Sequence, residues 1–167
     1  SSCQPVGSSG SAPNVVVTLG APNGVTREGL AEAVRRLDAA VPPRTGRRRV
    51  GLLVGGDDQN YRIDAAWARE LLAGLDADAN GYDLLATTSR RTPAGVAAFL
   101  REYAAAHDAM RYLEIPGESA ESHYHGILGG GDCLLVTEDS VNMVSEAASS
   151  GRPTVILQVG RKHGRDR

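Results

Sequence analysis

Short apolar runs and amphipathic stretches take turns along this chain. The apolar runs fall at 15–19, 49–54, 83–88, 111–115, 133–137 and 154–159, each of a length suited to a strand covered on both faces. Between them the period lengthens to that of a helix. Residues 26–40 carry Leu30, Val34, Leu37 and Val41 on one stripe, 62–75 carry Ile63, Trp67 and Leu71, and 93–105 carry Val96, Phe99, Leu100 and Tyr103. A short helix near 122–128 and another over 140–150 complete the series. Thr26 and Thr92 stand where N-caps belong, with Pro93 suited to the first helical position. Repeated β-α alternation predicts an α/β fold with a Rossmann-like, doubly wound, mainly parallel sheet and right-handed crossovers. Residues 1–12 hold Ser, Gly and Pro with almost nothing to bury, so a disordered linker is expected there, followed by one domain over 13–167.

The densest pattern is D-C-L-L-V-T-E-D-S-V-N-M-V-S-E-A-A-S-S-G-R-P at 132–153. Leu134, Leu135 and Val136 form the strand; Asp139 or Ser140 then caps a helix that packs Val141, Val144 and Ala147/Ala148 on the sheet. Asn142, Glu146 and Ser149 fall at i, i+4 and i+7 on another face, and Gly151 with Pro153 ends the helix. Free amides and positive dipole therefore stand at the carboxyl end of a parallel strand, where open α/β sheets bind ligands. An anion fits the amides of Val141, Asn142 and Met143. Glu146, under two turns in, is placed to accept hydrogen bonds from sugar hydroxyls attached to that anion, so phosphate plus ribose is the expected ligand.

S-x-x-x-x-x-E followed by G-x-P resembles the nucleotide-sugar signature in the C-terminal domain of GT-B glycosyltransferases and the related nucleotide-sugar 2-epimerases. T-E-D-S-V-N-M-V-S-E-A, T-T-S-R-R-T-P at 87–93, G-G-x-x-x-x-Y-R at 55–62 and N-V-V-V-T-L-G-A-P-N at 14–23 resemble, in the same order, the bacterial relatives of the plant mitochondrial fission factor, a family also described as nucleoside-diphosphate-sugar epimerase-like. The resemblance implies the donor-binding, C-terminal half of a GT-B fold, whose N-terminal domain would be a missing partner. It also implies that Tyr61 and Arg62 form part of the ligand wall. One departure is local: these relatives carry N-P-Y where this chain has Ser122, His123 and Tyr124.

Composition narrows the alternatives. With 167 residues, 41% hydrophobic and 23% charged, the chain suits one globular domain. A net charge of −2 gives no global basic field for nucleic acid, although R-K-H-G-R-D-R at 161–167 is locally basic. No apolar run approaches the ~18 residues of a membrane span, and no export signal is visible, so a cytoplasmic location is expected. Cys3 lies in the flexible start and Cys133 in a predicted strand, which argues against a disulfide framework; Cys133 is expected to be a small core residue. The chain lacks an initiator Met and is expected to be an excised fragment.

The remaining strand ends supply the other candidates. Gly55 and Gly56 would let backbone amides approach a phosphate, and the adjacent Asp57 and Asp58 fit turn and cap chemistry better than a cation site. Arg90 or Arg91 suits a bidentate grip on diphosphate, with Ser89 and Arg90 the preferred pair. H-Y-H at 123–125 lacks the third and fourth ligands of a zinc site, so no metal and no cofactor are expected. Absence of G-x-G-x-x-G disfavours a dinucleotide oxidoreductase, there is no P-loop, and Ser89-Arg90 stands where a phosphorylation receiver needs Asp. Two functions remain. One is a nucleoside-diphosphate-sugar donor domain of a glycosyltransferase- or epimerase-like protein, inactive in isolation. The other is a non-catalytic interaction module.

Overall fold

The structure, a computed structural model, describes residues 23–162. The expected linker, Cys3, the strand expected at 15–19 and most of the basic tail lie outside the described residues. In chain order the elements are α1 (Arg27–Ala40), β1 (Arg48–Val54), β2 (Tyr61–Arg62), α2 (Ala65–Leu75), α3 (Ala77–Asn80) and β3 (Tyr82–Thr88). There follow α4 (Ala94–Ala106), β4 (Met110–Glu114), α5 (Tyr124–Gly130), β5 (Cys133–Thr137), α6 (Val141–Ser149), β6 (Thr154–Leu157) and β7 (Gly160–Arg161).

Five strands form one parallel sheet in the order β4-β3-β1-β5-β6, and β2 pairs antiparallel with β7 outside it. Successive strand residues face opposite ways, and the core divides accordingly. Val50, Leu52 and Val54 of β1 join Leu84 and Ala86 of β3 beneath Leu72 of α2 and Val96 and Leu100 of α4. Leu53, Leu134 and Val136 turn to the other side, against Leu128 of α5 and Ala147 of α6. Leu85 on that same side meets Leu37 and Val41 of α1 and its C-cap, and Ile127. Each of these fully buried leucines contributes about 1.5–3 kcal/mol of transfer free energy. Apolar surface covered on both faces is why the strands read as continuous hydrophobic runs. The architecture is the Rossmann-like, doubly wound one.

Local differences from the sequence reading have definite causes. The helix expected from residue 62 begins at Ala65, because Asp58 Oδ1 accepts from the amides of Asn60 and Tyr61 and Asp57 Oδ1 accepts from Ile63, holding 57–63 as a turn and a short extended segment. Asp64 then caps α2 through the Trp67 amide at 2.8 Å. Asp64→Ala should lower stability by about 1 kcal/mol, read as a lower urea midpoint at unchanged slope. Thr26 caps α1, as its position suggests. Thr92 does not cap α4; Pro93 occupies that position, while the Thr92 hydroxyl donates to the Gly55 carbonyl at 2.5 Å. β6 ends at Leu157, short of 159, and Cys133 is half-buried at the rim of the core rather than within it.

Candidate functional site

The chain leaves β1 toward β3 and β4 on one side, then returns to build β5 and β6 on the other, so β1 and β5 flank the point where winding reverses. Ligands of open α/β sheets sit beyond the carboxyl ends of such strands. Here those ends are Val54 and Thr137, followed by Gly55-Gly56 and by Glu138-Asp139-Ser140.

The two loops are stitched together by their own polar groups. Gly55 donates its amide to Thr137 Oγ1 and Gly56 donates its amide to Asp139 Oδ2, each at 2.8 Å. Both amides expected to approach a phosphate are therefore already bonded within the fold. The glycines serve close packing instead: a Cβ on Gly55 would lie 2.1 Å from Asp139 Oδ2, and one on Gly56 would lie 2.2 Å from the carbonyl carbon and oxygen of Arg91. Asp139 is likewise a brace and not a helix cap. Its side chain is fully buried, and Oδ1 has no hydrogen-bond partner among the described residues.

The third loop joins β3 to α4. The Ser89 amide donates to Thr92 Oγ1 at 2.9 Å, and Ser89 Oγ accepts from the Arg91 amide at 3.2 Å, which folds 89–92 into a tight turn. This turn carries Arg91 to the end of β1, 3.6 Å from Asp139 and 3.8 Å from Asp58. Its guanidinium stays half-exposed. Arg90, the preferred arginine from sequence, is exposed and has no hydrogen bond or ion pair among the described residues. Arg62 lies exposed on β2, opposite Gly160, and none of the described contacts ties it to α6. Asp57 and Asp58 are turn residues, as their chemistry suggested; backbone donation from Asn60 and Tyr61 holds the Asp58 carboxyl below its usual range.

α6 retains the features that drew attention to it. Ser140 is its N-cap, accepting from the Met143 amide at 3.4 Å, which leaves the Ser140 proton able to donate elsewhere. The amides of Val141 and Asn142 have no partner among the described residues, whereas that of Met143 is taken by the cap. Val141 itself is 64% exposed rather than packed on the sheet, because it stands at the first helical position, beyond the end of β5. Glu146 is half-buried, and its Oε2 accepts the Tyr124 hydroxyl proton from the start of α5. Tyr124 is the residue whose role the sequence did not reveal: it stood in the middle of H-Y-H and at the Tyr of the relatives' N-P-Y, but nothing in the sequence paired it with Glu146. Of the histidines beside it, His123 stands edge-on to Tyr112 and the exposed His125 lies with its ring tilted 5.5 Å from that of Tyr124, and among the described residues no group of three or more His, Cys, Asp or Glu could hold a metal.

A buried carboxylate sits nearby at the end of β4. Glu114 accepts from the Tyr112 hydroxyl, the Ser122 hydroxyl and the His123 amide at 2.7, 2.5 and 2.8 Å, so it anchors the loop that delivers Tyr124. Burial first, and the Glu114 bond second, push the Tyr112 phenol far above its ordinary value. The more voluminous clefts lie elsewhere. One of about 450 Å³ lies between Trp67 and Leu157, and one of about 480 Å³ lies between Arg27, Gly129 and Arg152. The latter touches only the far end of α6.

Among the described residues no helix is long and apolar enough to cross a membrane. A comparison with curated proteins finds no match. Residues 6–167 match the sequence model of the family described as Mitochondrial fission ELM1, so the chain belongs to that family.

Proposed function

We propose that this chain binds a nucleoside diphosphate sugar as the donor half of a GT-B-like protein. The observation that carries the reading is the start of α6, where unbonded Val141 and Asn142 amides and the Ser140 hydroxyl lie at the β1/β5 reversal with Glu146 further along the same helix. A diphosphate would take the amides and the positive helix end, and the ribose hydroxyls would donate to Glu146. Arg91, with Arg90 beside it, would add positive charge from the neighbouring loop. Gly55 and Gly56 shape the floor and leave the phosphate contacts to α6. An acceptor and any catalytic base would come from a further domain facing this shelf, and the contribution of this chain to transfer would be orientation and stabilisation of the departing diphosphate.

Titration calorimetry with UDP, GDP, ADP and inorganic pyrophosphate tests the reading. Glu146→Gln should weaken the best nucleotide about tenfold while leaving pyrophosphate unchanged, because a charge-assisted bond worth roughly 1.5–3 kcal/mol is lost at the sugar alone. Ser140→Ala should weaken both ligands and lower stability by about 1 kcal/mol through the lost cap. Unchanged nucleotide affinity in Glu146→Gln would remove the reading and favour a non-catalytic interaction module.

A further inference from the structure

Glu146 does not stand alone on α6. The phenol of Tyr124 reaches from the first residue of α5 and donates to Oε2, leaving Oε1 as the oxygen with unused acceptor capacity. The Tyr124 ring packs against the cluster of Leu53, Leu128, Leu134, Val136 and Ala147, to which β1, β5, α5 and α6 all contribute. The hydroxyl is thus held by the core, and through it one rotamer of the Glu146 carboxylate. Glu114 supports the arrangement from behind by fixing Ser122 and the His123 amide immediately before Tyr124.

We propose that Tyr124 is a positioning residue for ribose recognition: it fixes Glu146 so that Oε1 faces the 2′- and 3′-hydroxyls of the nucleotide. The proposal rests on the nucleotide-sugar reading above and adds to it a named source of sugar specificity. A free glutamate on a helix surface samples several rotamers, and ordering one on binding costs free energy that a prior hydrogen bond removes. A carboxylate held by one hydrogen bond keeps a single orientation, and Oε1, with two lone pairs, can then accept from both hydroxyls of a vicinal diol. Burial and the Glu146 bond, in that order, hold the phenol far above its ordinary pKa, so it remains a donor across the working pH range.

The test compares the best-binding of UDP, GDP and ADP with its 2′,3′-dideoxy counterpart and with inorganic pyrophosphate. The proteins are the wild-type chain, Tyr124→Phe, Glu146→Gln and the double variant. Tyr124→Phe keeps the ring in the core and removes only the hydroxyl. It should weaken the ribonucleotide about five- to tenfold and leave the dideoxy nucleotide and pyrophosphate unchanged. Added to Glu146→Gln, it should produce no further loss, because both changes break one unit. A merely structural link between α5 and α6 would weaken all three ligands alike or none, and either result overturns the proposal, as does a Tyr124→Phe protein that fails to fold. If Glu146→Gln loses ribose discrimination while Tyr124→Phe keeps it, the positioning role falls and the nucleotide reading stands. If Glu146→Gln changes nothing, both fall.

Discussion

Replacing Asp83 with Ala should destabilise the chain by about 3–5 kcal/mol at pH 7, the cost of removing one partner from a buried ion-pair cluster. Asp83 lies on β3 with its side chain 3% exposed, between the guanidiniums of Arg44 and Arg47. Arg47 Nε donates to Asp83 Oδ1 at 2.6 Å and its Nη2 to the Tyr82 carbonyl at 2.7 Å; Arg44 bonds both Asp83 oxygens and also pairs with Asp108. Removing the carboxylate leaves two partly buried cations facing each other. For a domain of this size the loss corresponds to a melting temperature lower by roughly 6–20 °C. The same cluster sets an acid limit. Burial pushes the Asp83 carboxyl up, but the hydrogen bonds and charges of Arg44 and Arg47 outweigh it and hold the group below its ordinary 3.8. With the folded value depressed, the stabilisation is complete above the ordinary value and is lost as pH falls through the folded one. Urea unfolding of wild type and Asp83→Asn should therefore differ most near neutrality and converge as the pH falls below the ordinary value of 3.8 and on through the depressed folded one. A constant gap across that range would show that the charge of Asp83 is not what stabilises the fold.

Gly56→Ala should cost about 3 kcal/mol or more. The added Cβ would stand 2.2 Å from the Arg91 carbonyl carbon and oxygen, which are backbone atoms fixed by the Ser89–Thr92 turn and by the Asp57 amide donating to the Arg91 carbonyl at 3.3 Å. Overpacking into backbone costs more than crowding a flexible side-chain tip, and typical penalties run about 1–3 kcal/mol with larger values where nothing can move. The 89–92 loop must lift, carrying Arg91 away from Asp139. Pyrophosphate affinity should fall together with stability, since Arg91 would leave the crevice. If Gly56→Ala melted within a degree or two of wild type, the close packing of these loops would be refuted.

Residues in hand by pattern alone include most of the scaffold. The hydrophobic runs at 49–54, 83–88 and 133–137 became the three central strands, because a strand buried on both faces has no polar side to blur it. Thr26 and Ser140 were legible as caps for a local reason: a cap bonds an amide three residues away, within reach of sequence spacing. The acid of α6 and its place near the helix start were also readable from 3.6-residue periodicity.

What sequence alone did not decide was the use of each polar group, because those uses depend on partners distant along the chain. Thr92 looks like a cap beside Pro93, yet its hydroxyl goes to Gly55, 37 residues away. Asp139 looks like a cap beside Ser140, yet its carboxylate braces Gly56 across the sheet, 83 residues away. Gly55 and Gly56 read as a phosphate loop until the strand register puts Thr137 and Asp139 against their amides. Tyr124 and Glu146, 22 residues apart on different helices, meet only because α5 and α6 pack on the same face of β5. Periodicity and local spacing determined which residues form strands, helices and caps. Tertiary packing alone decided which of their polar groups remain open to a ligand, since a donor's availability is settled by whatever the folded chain brings within about 3 Å of it.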